Sequence, residues 1–193
     1  MSLDFALIKD AIAHSAQRLK TVEIVAPGLG WLDDFFEPQL LNKLLQRLNL
    51  PLNWQSETIE DGSAAYPNRL KINWEAESII EEIHTVLSEL TPEINRVFQT
   101  QYSFQNITIW KDFPGYSIGW HHDNPSIALA LQIYLSSGAD LGTEFVYENQ
   151  SFQAKYQLNS GYIMNNNPGL QHSMTRPVPE NHCRTSIYGI WIK

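Results

Sequence analysis

A single cysteine, Cys183, leaves the chain unable to close an internal disulfide, so the expectation is a reducing compartment and a cytoplasmic protein. Basic residues are also few, 13 Lys and Arg against 21 Asp and Glu, for a formal net charge of -8. That balance works against general affinity for nucleic acid or for an anionic membrane surface. The scarcity is sharpest from Gln101 to Thr175, where Lys111 and Lys155 stand alone against Asp112, Asp123, Asp140, Glu144 and Glu148. No apolar run approaches the roughly 20 residues of a membrane helix. The start, Met1-Ser2-Leu3-Asp4, lacks the basic and long apolar segments of a secretory signal. Repeats, low-complexity stretches and linkers are absent as well. What is left, 193 residues at 43% hydrophobic and 18% charged, suits one globular domain. A domain of that size buries roughly 70% of its unfolded surface.

Two textures divide that domain. Residues 1–99 read mainly as helical support. Phe5, Ile8, Ile12 and Ala16 recur at helical spacing in Ser2 to Lys20, with Ser2 as the expected cap. Thr21 to Ala26 reads as an edge strand closed by Pro27-Gly28. Pro38 suits the first turn of a helix reaching about Leu48, striped by leucines at 40, 41, 44, 45 and 48. Strands are expected at Leu52 to Thr58 and at Arg69 to Trp74. The clearest helix is Glu75 to Leu90, followed by a short one through Phe98 with Thr91 as its cap and Pro92 in its first turn. His14 and His84 read as surface or core-edge residues of this half.

Residues 100–193 are strand-like throughout. The runs are Tyr102 to Lys111, Ser117 to His122, Ile127 to Leu135, Thr143 to Glu148, Ser151 to Gln157, Gly161 to Asn165, His172 to Thr175 and Arg184 to Ile192. Turn residues such as Pro114-Gly115 and Asn165-Asn166-Asn167-Pro168-Gly169 separate them. Short strands at this spacing predict a sandwich or jelly roll. Helices first and strands second predict an α+β fold with the helices outside the barrel.

The chemistry gathers around Gly119-Trp120-His121-His122-Asp123-Asn124-Pro125. On extended backbone, residues two apart share a face, so His121 and Asp123 converge while His122 turns away. A further histidine would complete the 2-His-1-carboxylate face typical of non-haem Fe(II). His172, which opens a strand, is the best candidate, whereas His182 lies in a polar, Pro-flanked loop and reads as solvated. Arg184 opens an otherwise apolar strand and shares a face with Ser186. A buried arginine needs an anion, either a bound carboxylate or an internal Asp or Glu.

As an ensemble, Pro114 to Trp191 resembles the Fe(II)/2-oxoglutarate-dependent oxygenases, in particular their prolyl-hydroxylase-like branch. The resemblance is carried by His121-x-Asp123, the strand Leu131 to Leu135, Gly142-Thr143-x-Phe145, Gly161, His172, Pro177-Val178 and Arg184-x-Ser186. It implies a double-stranded β-helix (jelly-roll) core, with Fe(II) held by His121, Asp123 and His172. It also implies 2-oxoglutarate held through its distal carboxylate by Arg184, helped by Ser186 and by Tyr134, which shares a strand face with Gln132. With O2, that set implies hydroxylation with release of succinate and CO2. Asp123 occupies the position that halogenating relatives leave small, which favours hydroxylation. Many relatives carry a tyrosine just before the Pro-Gly turn, where this chain reads Ile109-Trp110-Lys111-Asp112-Phe113. The implied substrate is a small molecule or a peptide side chain near Trp120, Asn124, Tyr116, Tyr147, Tyr162, Asn165 or Asn166. The acidic balance disfavours nucleic acid, and the sequence sets no oligomeric state. Two other classes stay open at this point: a cupin-like metalloenzyme that does not use 2-oxoglutarate, and a non-catalytic β-sandwich binding module.

Overall fold

The computed structural model describes residues 4–57, 66–73, 78–138 and 140–193. Helix α1 (Phe5–Lys20) is capped by Asp4, whose carboxylate accepts the Leu7 N–H at 3.1 Å. The expected cap, Ser2, lies outside the described residues. Strand β1 (Glu23–Ala26) turns back at Gly28, where φ is +81°, into β2 (Leu29–Leu32), an element with no clear sequence signal. Helix α2 (Pro38–Leu48) starts on Pro38, and the Glu37 carboxylate accepts the N–H groups of Gln39 and Leu40 at 2.8 and 2.9 Å.

The strand expected at Leu52 to Thr58 reduces, among its described residues, to one bridge between Gln55 and Lys71. Strand β3 (Arg69–Asn73) and helices α3 (Ser78–Glu89) and α4 (Thr91–Phe98) follow, with the expected start of α3 at Glu75 outside the described residues. Thr91 does not cap α4. The cap position is Leu90, and Thr91 Oγ1 instead accepts the indole N–H of Trp191 at 3.0 Å. The remaining strands are β4 (Ser103–Asp112), β5 (Ile118–His121), β6 (Leu129–Tyr134), β7 (Glu144–Tyr147), β8 (Gln150–Gln153), β9 (Gly161–Asn165), β10 (Leu170–Met174) and β11 (Arg184–Ile192).

These strands form two antiparallel sheets. The larger runs β1-β2-β9-β6-β11-β4-β3 and the smaller β5-β10-β7-β8. Both edges of the large sheet thus come from the N-terminal half, which supplies strands as well as helices. Strand alternation sorts the large sheet's two faces. Ile107, Ile109, Leu131, Ile133, Ile163 and Ile187 join the core built with the helices. Tyr134, Tyr162, Met164 and Leu29 face the other way, into a second core with Phe145 and Leu170 of the small sheet. The polar residues Arg184, Ser186 and Tyr188 of β11 share that second face, so the space between the sheets carries the chemistry. Among the described residues, no helix is long and apolar enough to cross a membrane.

One backbone contact fixes the sheet there. A Cβ at Gly161 would sit 1.8 Å from the backbone oxygen of Gln132, on the paired strand β6. Backbone cannot yield that distance, so Gly161→Ala is expected to cost at least about 3 kcal/mol. Urea unfolding of the variant would measure it, and a loss under about 1 kcal/mol would show that β6 and β9 are free to separate.

Candidate metal centre and anion pocket

β5 and β10 pair so that His121 and His172 stand opposite each other, their ring centroids 4.2 Å apart. Strand β5 ends at His121, so Asp123 reaches the pair from the following loop and not from a continued pleat. The Asn166 amide holds that loop, donating to the backbone oxygens of Asp123, Asn124 and Ile127 at 3.3, 3.0 and 2.9 Å. One ligand atom from each of His121, Asp123 and His172 lies within 4.8 Å of the others. His122 turns away and meets the Leu170 carbonyl at 3.1 Å.

The surroundings prepare the three groups for a cation. His121 Nδ1 sits 2.8 Å from the Gly119 carbonyl, which places the proton on Nδ1 and leaves Nε2 as a free lone pair. Tyr188 donates to Asp123 Oδ2 at 2.8 Å, leaving Oδ1 facing His172 Nε2 at 3.7 Å. That last contact is not an ion pair. Burial, with His121 and His122 nearby, pushes the His172 pKa down to about 3, so the ring is neutral. Burial raises the Asp123 carboxyl above its ordinary range, against the Tyr188 hydrogen bond and the neighbouring histidines. Two imidazoles and a half-dry carboxylate, with no Lys or Arg pairing with Asp123 among the described residues, fit a divalent metal.

His172 gives the metal-free protein a pH dependence. An unfolded histidine titrates near 6.5, whereas the folded ring stays neutral to about 3. Between those values the unfolded chain binds the extra proton, so stability falls as pH drops, by up to about 1.4 kcal/mol per unit. The raised Asp123 carboxyl acts in the opposite sense, but only as pH approaches its own range. Metal-free protein is therefore expected to lose about 1–2 kcal/mol in urea unfolding from pH 7 to pH 5, and His172→Asn to lose clearly less. Equal losses in both would exclude His172 as the group.

A second cluster lies on the same face. The register sets Arg69 of β3, Asp112 of β4 and Arg184 of β11 side by side. Arg69 Nε and Nη2 donate to the two Asp112 oxygens at 2.5 and 3.1 Å. Arg184 Nη1 donates to Asp112 Oδ2 at 2.8 Å. Asp112 is fully buried and Arg184 only 2% exposed. Arg184 Nη2 continues to Thr143 Oγ1 at 3.1 Å and Gln132 Oε1 at 3.4 Å. Gln132 Nε2 donates to Ser186 Oγ at 2.8 Å. Tyr134 donates to Thr143 Oγ1 at 3.0 Å and accepts the Thr143 N–H at 2.9 Å. Arg184, Ser186, Gln132 and Tyr134 thus meet in one network, with Tyr134 reaching the arginine through Thr143.

A cavity of about 350 Å³ joins the two clusters, lined by His121, Asp123 and His172 and by Arg184, Gln132 and Thr143. Tyr162, Asn124, Arg69 and Trp110 also border it. Of the other aromatics, Trp120 is largely exposed, and Tyr116 is buried beneath the Arg69 guanidinium, 4.0 Å from its ring centre. His182 is half-buried with Nε2 3.2 Å from the Tyr156 hydroxyl, so it is not the solvated loop residue expected.

Sequence reasoning missed Arg69, Asp112, Thr143 and Tyr188. Arg69 carried the same signal as Arg184, an arginine opening a short apolar-patterned strand. Asp112 lies two residues before Pro114-Gly115, and its carboxylate is the internal anion that pairs with Arg184.

No protein-family model matches the sequence, and no curated protein is similar to it at a significant level. The fold is nonetheless widely shared. A prolyl-4-hydroxylase from Pseudomonas putida superposes with a TM-score of 0.69 at 14% identity, over 94% of this chain and 99% of that one. A prolyl hydroxylase from Trichoplax adhaerens, solved with a hypoxia-inducible-factor peptide fragment, gives 0.68 at 12% identity over 100% and 94%. An oxidoreductase of the 2OG-Fe(II) oxygenase family from Burkholderia pseudomallei gives 0.66 at 17% over 94% and 90%.

Proposed function

We propose that this chain is an Fe(II)- and 2-oxoglutarate-dependent dioxygenase of the prolyl-hydroxylase-like kind. The observation that carries the proposal is a single cavity bordered by both a 2-His-1-carboxylate face and a buried arginine network. In a binding module, or in a metalloenzyme without an acidic cosubstrate, the second cluster is an internal ion-pair network alone, with the cavity beside it unused. In this reading the two sheets are the layers of a double-stranded β-helix within one domain. Residues 1–99 supply its helices and sheet edges, and residues 100–193 its core.

His121, Asp123 and His172 hold Fe(II), three ligands that leave open positions for substrate chemistry. Bound Fe(II) supplies O2 activation coupled to decarboxylation of 2-oxoglutarate, giving succinate, CO2 and one oxygen atom inserted into a substrate C–H bond. Tyr188 fixes the Asp123 carboxylate through its second oxygen. Arg184 and Ser186 receive the distal carboxylate of 2-oxoglutarate, while Gln132, Thr143 and Tyr134 hold those groups in place. The fit of that pocket to the cosubstrate rests on the Arg184 Nε, a buried donor without a partner among the described residues. The substrate is a small molecule or a peptide side chain, and the net charge of -8 disfavours nucleic acid.

The test is an anaerobic visible spectrum of the protein with Fe(II), before and after 2-oxoglutarate. A charge-transfer band appearing only with both additions is the expected result. A folded, iron-loaded protein that shows no band would remove 2-oxoglutarate from the proposal.

A further inference from the structure

We infer that Asp112 is a built-in counter-anion that sets how tightly the pocket holds the distal carboxylate of 2-oxoglutarate, with Arg69 acting on that carboxylate through Asp112. The inference rests on the cosubstrate reading above and adds two positioning residues to it.

Asp112 occupies part of the guanidinium that a bound carboxylate would use. Its Oδ2 takes Arg184 Nη1 at 2.8 Å and Thr143 and Gln132 take Nη2, which leaves Nε, without a partner among the described residues, for a ligand. Arg69 in turn grips both Asp112 oxygens. The Arg69 guanidinium also lies over Trp110 and Tyr116, 4.8 and 4.0 Å from their ring centres, which holds it in place. Two arginines and one aspartate give the row a net charge of +1. That matches one carboxylate of a dianionic cosubstrate whose other end sits at the metal.

Asp112 and Arg184 are both out of water, so their charges are weakly screened and the sum governs binding. Removing the anion should tighten binding, and removing the outer cation should weaken it. The row carries +2 in Asp112→Asn, 0 in Arg69→Gln and +1 again in the double variant.

The experiment is an anaerobic titration of 2-oxoglutarate into Fe(II)-loaded protein, read by the charge-transfer band, with circular dichroism to confirm folding of each variant. Relative to the parent, Kd should fall about tenfold in Asp112→Asn and rise about tenfold in Arg69→Gln. The double variant should return to within about threefold of the parent. A structural role alone predicts weaker or unchanged binding in Asp112→Asn, and that result would overturn the inference. If Asp112→Asn does not fold, Arg69→Gln decides, and an unchanged Kd there overturns it as well. A parent protein that binds 2-oxoglutarate normally keeps the cosubstrate reading standing in those cases. A parent that shows no band removes both.

Discussion

Substitution of His121, Asp123 or His172 by alanine is expected to lower succinate formation by more than about 1000-fold, because each is one of the three proposed iron ligands. The loss should fall on metal binding and not on folding. All three groups border a cavity, and the core residue in ring contact with them is Phe145, stacked 6.1 Å from the His172 ring centre. Asp123 in particular is a carboxylate whose ionised form burial disfavours, so the metal-free Asp123→Ala protein is expected to melt no lower than its parent at pH 7. Iron stoichiometry, succinate release and thermal melting on the same preparations separate the two effects. A variant that keeps parental turnover would dissolve the ligand assignment. Tyr188→Phe belongs to the same experiment with a smaller effect. It removes only the hydrogen bond to Asp123 Oδ2, and a loss of about 10–100-fold is expected.

Arg184→Met is the second large change, and it acts on two quantities at once. The side chain is buried and serves Asp112, Thr143 and Gln132 together. Its removal strips one partner from a buried carboxylate, and deleting one member of a buried ion pair costs about 3–5 kcal/mol. The remaining Arg69 contacts both Asp112 oxygens, so the lower end of that range is expected. The same change removes the proposed receiver of the distal carboxylate, and 2-oxoglutarate affinity should fall by at least about 100-fold. Lysine would not rescue it, because an ammonium cannot serve Asp112 and Thr143 from one planar fork. Urea unfolding and the spectral titration read the two losses separately. Destabilisation with unchanged 2-oxoglutarate affinity would make Arg184 purely a partner of Asp112.

The contrast between Arg184 and Arg69 shows where the sequence was legible. Strands β9 and β11 stand within the bounds their alternation predicts, and Arg184 and Ser186 share the face expected of them. Both depend on a local period of two, which a sequence displays openly. His172 was expected to open a strand and does lie on one, but β10 begins two residues earlier, at Leu170. Asp123 reaches the right place for a different reason than the pleat, since its loop is held by Asn166, more than forty residues away. Arg69 and Asp112 were illegible as a pair because their meeting depends on which strands neighbour one another. No local pattern states that β3 lies beside β4. The missing cap at Thr91 has the same origin, since a tertiary contact with Trp191 claims its hydroxyl.

Strand β11 places Arg184, Ser186 and Tyr188 on one face at successive two-residue steps. Four residues of strand span roughly 13 Å. One continuous backbone therefore joins Tyr188, which holds the Asp123 carboxylate, to Arg184, the proposed receiver of the far end of the ligand. On the proposed reading such a strand is a ruler with fixed graduations, and diacids one carbon shorter or longer are expected to bind in 2-oxoglutarate's place more weakly, which competition in the spectral titration would measure.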